Sequence, residues 1–95
     1  VELQLGGAEQ FALHSVFPNP AHAQATLRYE LPTDGPVRLG VYNLLGQRIR
    51  TLVAAPQAAG RHEMAFGVSG LASGVYFIRL QMAGRTLTRQ LTVVQ

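Results

Sequence analysis

The sequence predicts an all-β fold, an immunoglobulin-like antiparallel Greek-key β-sandwich of about seven strands. Three observations predict it. Short segments in which apolar and polar residues alternate are separated by turn residues about every 8–12 positions. No window has the period of a long amphipathic helix. The connections are also too short for the crossovers that parallel strands require, which favours antiparallel pairing.

Length and composition indicate a single folded unit. The chain has 95 residues, of which 47% are hydrophobic and 14% charged, as expected for a domain with a packed core. Residues 1–10 contain Gly6-Gly7 and no sustained alternation, so we expect a linker or a strapped first segment there. Residues 11–95 are expected to form the sandwich.

Seven segments carry the alternation and are predicted strands: 11–17, 25–31, 36–43, 47–53, 61–68, 75–82 and 86–94. In the fourth segment Ile49 and Val53 are predicted to face the core, because they alternate with arginines. Residues 54–60 are predicted to be a loop, since Pro56 and Gly60 interrupt the pattern. Turn residues, such as Ala83-Gly84, separate the other strands.

The segment Phe17-Pro18-Asn19-Pro20 contains two prolines, which remove two backbone donors. Such a segment cannot lie inside a central strand. We expect a stiff kink where an edge strand leaves one sheet for the other. A docking motif for a partner is the alternative interpretation.

The segment from Leu71 to Tyr76 resembles a tyrosine corner, in which the Tyr hydroxyl bonds to a backbone group a few residues upstream. Gly74 would supply a backbone conformation that is closed to other residues. We therefore expect Tyr76 to have a structural role.

Arg89 is in register with Leu87, Leu91 and Val93, on the face predicted to be apolar. An unpaired buried guanidinium is costly, so we expect either a bulge that re-aims it or a partner that binds it. A snorkelling side chain at the sheet edge and a recognition role both remain open.

Groups that could converge in an active site are few and dispersed. Five acids are spread from Glu2 to Glu63, and no two histidines have the spacing of a metal site. With no cysteine, a thiolate metal site is excluded. The sequence predicts no enzymatic activity, no metal and no cofactor.

The net charge is +3, and all eight basic residues are arginine. Arginine binds carboxylates through a bidentate fork and suits a surface that stays paired. The arginines form no run and alternate with no aromatic platform, so nucleic-acid binding is not predicted.

No apolar run is long enough to span a membrane. The chain begins with Val1 and shows no signal peptide, so we expect the export signal elsewhere in a longer parent protein.

Carbohydrate binding is an alternative, because β-sandwich modules of polysaccharide-degrading enzymes often display aromatic platforms. Tyr42 and Phe77 are the two aromatic residues predicted on outer faces. In this alternative the chain is an accessory carbohydrate-binding or interdomain-stabilising module.

From Phe17 to Val94 the order of motifs resembles the C-terminal sorting domains of the type IX (Por) secretion system. Phe17-Pro18-Asn19-Pro20 resembles the family's opening (Y/F)PNP motif. Val37–Arg48, which includes Gly46, resembles its VxLxVYDxxGRxV segment, and Leu27–Pro32 its second strand. Gly60-Arg61-His62 and Leu71–Phe77 resemble its GxH and LxxGxY motifs. The sequence is also similar to the immunoglobulin-like domain of flagellar hook-capping proteins.

The resemblance implies a C-terminal signal domain that directs an attached exported protein, such as a secreted enzyme, across the outer membrane. Its implied partners are the outer-membrane secretion machinery, a sorting protease and a catalytic domain of the parent protein. The implied route leads through the periplasm to the cell surface or the medium, and we expect a monomer.

The last strand of the family is usually basic, whereas Arg89 is the one basic residue of 86–95 here. The expected receptor-recognition residues are Arg89 with Thr86, Thr88 and Thr92, and the family-motif residues Pro18, Asn19, Pro20, Gly46, Gly60, Leu71, Gly74 and Tyr76 are expected to be mainly structural.

Overall fold

A computed structural model describes residues 10–95. The predicted linker, residues 1–10, lies outside this range except for Gln10. Within these residues seven strands form: β1 (Ala12–Leu13), β2 (Gln24–Leu31), β3 (Gly35–Tyr42), β4 (Arg48–Gln57), β5 (Gly60–Gly67), β6 (Gly74–Met82) and β7 (Arg85–Val93). The all-β prediction is confirmed.

The strands form two antiparallel sheets. A three-stranded sheet has the order β1-β2-β5, and a four-stranded sheet has the order β4-β3-β6-β7. Their inner faces enclose one core, in which Leu27, Leu39 and Leu91 are fully buried. The buried positions of β2, β6 and the end of β7 recur at every second residue, as the sequence pattern requires. No helix that could cross a membrane occurs within residues 10–95.

The first predicted strand is shorter than expected. Only Ala12–Leu13 forms a ladder with β2, and Phe17 then makes an isolated bridge to Thr26. Leu13 lies opposite Tyr29, so three residues of the first segment face two residues of β2 between these pairs. The extra residue interrupts the ladder, which shortens the strand.

The predicted loop over 54–60 is wrong. β4 continues to Gln57, and only Ala58-Ala59 connect it to β5. Pro56 lies opposite Pro36 in the β3–β4 ladder. Because β4 is the edge strand of its sheet, a proline can point its nitrogen to solvent there without removing a ladder hydrogen bond.

The predicted inward orientation of Ile49 is also wrong. The β3–β4 register shifts twice, between Leu39 and Gly40 and between Val41 and Tyr42. Each shift leaves one β4 residue, Leu52 or Ile49, without an opposite residue. Ile49 is exposed as a result, whereas Val53 stays packed against the core as predicted.

The Phe17-Pro18-Asn19-Pro20 segment carries the chain from one sheet to the other. Phe17 bridges Thr26 in the three-stranded sheet, and Ala21 bridges Val93 of β7 in parallel orientation. The kink predicted for this segment is confirmed. The segment therefore brings the start of the sandwich against its last strand.

Candidate functional site

β7 is positioned by the hairpin that it forms with β6. Ala83-Gly84 connect the two strands, and the register runs without a shift from Met82–Arg85 to Gly74–Val93. The side chains of Leu91 and Val93 point into the core, and this determines which face of β7 lies against the core. β7 is an edge strand, so one row of its backbone groups faces away from β6.

Residues 19–22 cover the end of this edge, and we call them the clasp. The Asn19 side chain accepts a hydrogen bond from Thr92 N at 3.0 Å and donates one to Gln90 O at 3.3 Å. Ala21 N donates to Thr92 O at 2.8 Å, and Ala21 O accepts from Val94 N at 2.9 Å. His22 Nδ1 lies 2.9 Å from Val94 O. The clasp thus satisfies the outward backbone groups of the last residues of β7.

Among residues 10–95, nothing covers the first half of the same edge in this way. Thr92 N and O point outward, and in an unbroken antiparallel strand every second residue has the same orientation. Thr86 and Thr88 therefore also point their backbone groups away from β6. Within residues 10–95 no hydrogen bond to another segment satisfies these groups. This free half of the edge is the surface on which another strand could add.

Arg89 lies on the opposite face of β7 from Thr86, Thr88 and Thr92. No bulge re-aims it, since the β6–β7 register is continuous. Its Nε donates a hydrogen bond of 2.7 Å to Leu13 O, so the guanidinium has a partner at the sandwich edge. The structure thus separates Arg89 from the threonine row.

The tyrosine corner forms as expected. Tyr76 Oη donates to Ala72 O at 2.6 Å, and Leu71 is buried in the core. Gly74 has a φ of 157°, a value that other residues rarely adopt. Gln95 holds the same loop, because its Nε2 donates to Val68 O at 2.6 Å and to Leu71 O at 2.7 Å. Sequence reasoning missed these contacts of Gln95, which depend on two residues more than 20 positions away.

The other motif residues lie in turns or at the start of a strand. Gly46 follows two exposed leucines in the β3–β4 turn, where its N donates to Asn43 O at 3.0 Å. The Asn43 side chain accepts from Leu45 N and Gln47 N, which fixes the turn. Gly60 begins β5 directly after the two-residue connection. Pro18 directly precedes the clasp, and Pro20 lies within it on the other side of Asn19.

His14 and His62 line one cleft on the three-stranded sheet, and each has its own hydrogen-bond partner. His14 Nε2 lies 2.6 Å from Glu30 Oε2 on the three-stranded sheet. His62 bonds Ala58 O and stacks on Tyr29 with ring centroids 5.1 Å apart. Burial raises the pKa of Tyr29 above its ordinary value, against the opposing effect of its hydrogen bond to Gln57. Among residues 10–95, no group of three potential metal ligands occurs.

The two aromatic residues predicted on outer faces, Tyr42 and Phe77, lie opposite each other in the β3–β6 register. Tyr42 is only 8% exposed. The Arg79 guanidinium lies over its ring, with Cζ 4.2 Å from the ring centroid. A sugar ring therefore has no open face of Tyr42 on which to stack.

A family model described as the secretion system C-terminal sorting domain matches residues 15–94. The chain belongs to this family. The search of curated proteins found no match. Membership identifies the chain as a type IX C-terminal sorting domain, a targeting signal that is not itself catalytic. It also implies interaction with the type IX machinery and export to the cell surface or the extracellular space.

In this sorting domain the motif residues hold β7 in place. The opening motif supplies the clasp through Asn19, and the LxxGxY motif supplies the tyrosine corner through Tyr76. Tyr76 also lies opposite Leu91 in the β6–β7 register. The motifs are far apart in sequence and meet at the same end of the last strand.

Proposed function

We propose that this domain directs an attached exported protein, a secreted enzyme, from the periplasm across the outer membrane. The family match over residues 15–94 carries this proposal. The partners in this proposal are the outer-membrane secretion machinery, a sorting protease that separates the domain from its cargo, and the catalytic domain of the parent protein. The domain itself acts as a folded label.

The free half of the β7 edge is the proposed surface of recognition. Thr86 and Thr88 point backbone donors and acceptors outward, and an added strand of a receptor would pair with them. The threonine side chains lie on the outer face of the sheet, where they offer hydroxyl groups to the same partner. Arg89 and Thr92 contribute by holding β7 against β1 and the clasp.

A proline on this edge tests the recognition mode. Thr88→Pro removes an outward N–H without removing a hydrogen bond to β6, and the core residues are unchanged. Deletion of residues 86–95 is less informative, because it also removes Leu91 and Val93 from the core. Ala54→Pro is the matched control, since it places a proline on β4, the edge strand at the other end of the same sheet.

We would fuse residues 1–95 to a periplasmic reporter in a host that has the type IX system and measure reporter activity outside the cell. The intact fusion and Ala54→Pro are expected to be exported, whereas Thr88→Pro is expected to remain in the periplasm. Urea titration of each purified domain checks that it is folded. Retention of the intact fusion would contradict the sorting function. Normal export of Thr88→Pro would contradict strand addition and leave the sorting function standing.

A further inference from the structure

Charge is unequally divided between the two sheets. The strands of the four-stranded sheet contain six of the eight arginines and neither Asp nor Glu. The three-stranded sheet contains two arginines, Arg28 and Arg61, and two glutamates, Glu30 and Glu63. Arg28 Nε lies 3.0 Å from Glu63 Oε1, so part of that charge is paired within the sheet. The positive charge of the domain therefore belongs to one sheet.

Three of the six arginines connect the two layers. Arg50 donates to Gly67 O at the end of β5, and Arg89 donates to Leu13 O in β1. The Arg85 guanidinium lies over the Phe11 ring, with Cζ 4.8 Å from the ring centroid. These three guanidiniums are occupied at the sandwich edges.

The other three, Arg38, Arg48 and Arg79, lie on the outer face of the sheet. Arg38 alternates with the buried Val37 and Leu39, and Arg79 alternates with the buried Ile78 and Leu80. Arg48 lies opposite Tyr42 in the β3–β4 register. We call these three arginines the basic face.

Gly40 and Tyr42 position the Arg79 guanidinium and the stem of Arg48. A Cβ on Gly40 would lie 3.3 Å from Tyr42 Cε1 and 3.6 Å from Arg48 Cδ. Because Gly40 has no side chain, the Tyr42 ring and the Arg48 stem lie close to the sheet. Arg79 stacks on the same ring at 4.2 Å. The Arg79 guanidinium is thus held over an aromatic ring, so Arg79 loses less side-chain entropy when it binds a ligand.

We propose that the basic face binds a carboxylate-rich surface of a partner protein. Guanidinium forks match carboxylates in a bidentate geometry, and no carboxylate is present on the four strands themselves. Arginine and tyrosine are also the residue types enriched at the centres of protein–protein interfaces. This interaction goes beyond the proposed sorting function and does not depend on strand addition at β7.

A protein partner fits this face better than a nucleic acid or a membrane. Stacking of nucleic-acid bases needs open aromatic rings, whereas Tyr42 is covered by Arg79. Insertion into a membrane needs exposed apolar side chains, and the most exposed of residues 10–95, Leu44 and Leu45, lie in the β3–β4 turn and not on the strands that carry the basic face.

Two variants of equal net charge test the proposal. Arg48→Gln with Arg79→Gln changes the basic face, and Arg28→Gln with Arg61→Gln changes the three-stranded sheet. Each pair lowers the net charge by two. The binding of a fluorescent oligo-glutamate peptide to residues 1–95 is measured by anisotropy at low ionic strength, and a thermal melt checks that each variant is folded.

We expect the first variant to bind the peptide about five- to tenfold more weakly than the unsubstituted domain does. The second variant should bind it within about twofold of the unsubstituted domain. Equal weakening in both variants would overturn the proposal, because net charge alone would then explain the binding. Undetectable binding of the peptide to the unsubstituted domain would also overturn the proposal. Tighter binding of phosphatidylglycerol vesicles or of single-stranded DNA through the same arginines would assign the face to that class of partner instead.

Discussion

The two halves of β7 have the same alternation of residues but different surroundings. In the second half Leu91 and Val93 are buried, and the clasp satisfies the outward backbone groups of Thr92 and Val94. In the first half Leu87 is only partly buried, and the outward groups of Thr86 and Thr88 have no partner within residues 10–95. One strand therefore combines an anchored end with an end that is available for pairing.

The motif residues contact the anchored half of β7, whereas the free half is the proposed recognition surface. The opening motif, the tyrosine corner and Gln95 all act on the anchored end. The free end contains no motif residue, which suits a surface that is read through backbone groups rather than through particular side chains. Four predictions test the comparison through substitutions that change the stability of one half at a time.

The largest effect is expected at Leu91, which is 0% exposed in the anchored half. Leu91→Ala should lower the free energy of unfolding by about 2–5 kcal/mol, because it removes packed methyl groups and leaves a cavity. The comparison is with Leu87→Ala in the free half, which should cost about 1–2 kcal/mol because Leu87 buries less surface. Urea titration measures both, and equal losses would contradict an anchored and a free half.

Asn19→Ala should lower the free energy of unfolding by about 1–2 kcal/mol, because it removes the two side-chain hydrogen bonds of the clasp. Asn19→Asp keeps the acceptor for Thr92 N, and at this exposed site water can solvate the carboxylate oxygen that would face Gln90 O, so its loss should be smaller. The two midpoints are compared in urea. A loss at Asn19→Asp that exceeds the loss at Asn19→Ala would show that the acceptor is not the important half of the contact.

Gln95→Ala should cost about 1 kcal/mol, since it removes the two side-chain hydrogen bonds to Val68 O and Leu71 O. Gln95→Glu should cost more, because its carboxylate would face two carbonyl oxygens and offer them no donor. Thermal denaturation compares the two. If Gln95→Glu were as stable as the parent, the contact would not anchor this end.

The smallest effect is expected at Thr88, an exposed residue in the free half. Thr88→Ala should change the free energy of unfolding by no more than about 0.5 kcal/mol. Hydrogen exchange gives a second measure in the parent chain, in which the amides of Thr86 and Thr88 should exchange much faster than those of Thr92 and Val94. Equal protection of the four amides would show that both halves of the edge are covered.

The local features of the fold could be predicted from the sequence. The β6–β7 hairpin, the tyrosine corner and the kink between the sheets each depend on residues close together in the chain. The end of β4 could not, because Ala-Ala-Pro is a poor strand signal and becomes a strand only beside β3. The register shifts that expose Ile49 likewise depend on pairing and not on alternation.

The candidate site could be predicted only in part. The sequence places Arg89 and the threonines on one strand, but alternation alone does not show what lies beyond the sheet edge. The contact between Asn19 and Thr92 spans 73 residues, and nothing in either local sequence indicates it. The basic face also depends on the order of strands in the sheet, because its three arginines come from β3, β4 and β6.

The parallel bridge between Ala21 and Val93 has a mechanical consequence. A force that pulls the N-terminal side of the clasp away from the C-terminal end of β7 acts along both segments in opposite directions. The hydrogen bonds between them are then loaded in shear and must break together, whereas the bonds of a hairpin pulled open from its ends break one after another. The domain is therefore expected to resist extension most strongly along the direction in which a cargo joined to its N-terminal end would pull.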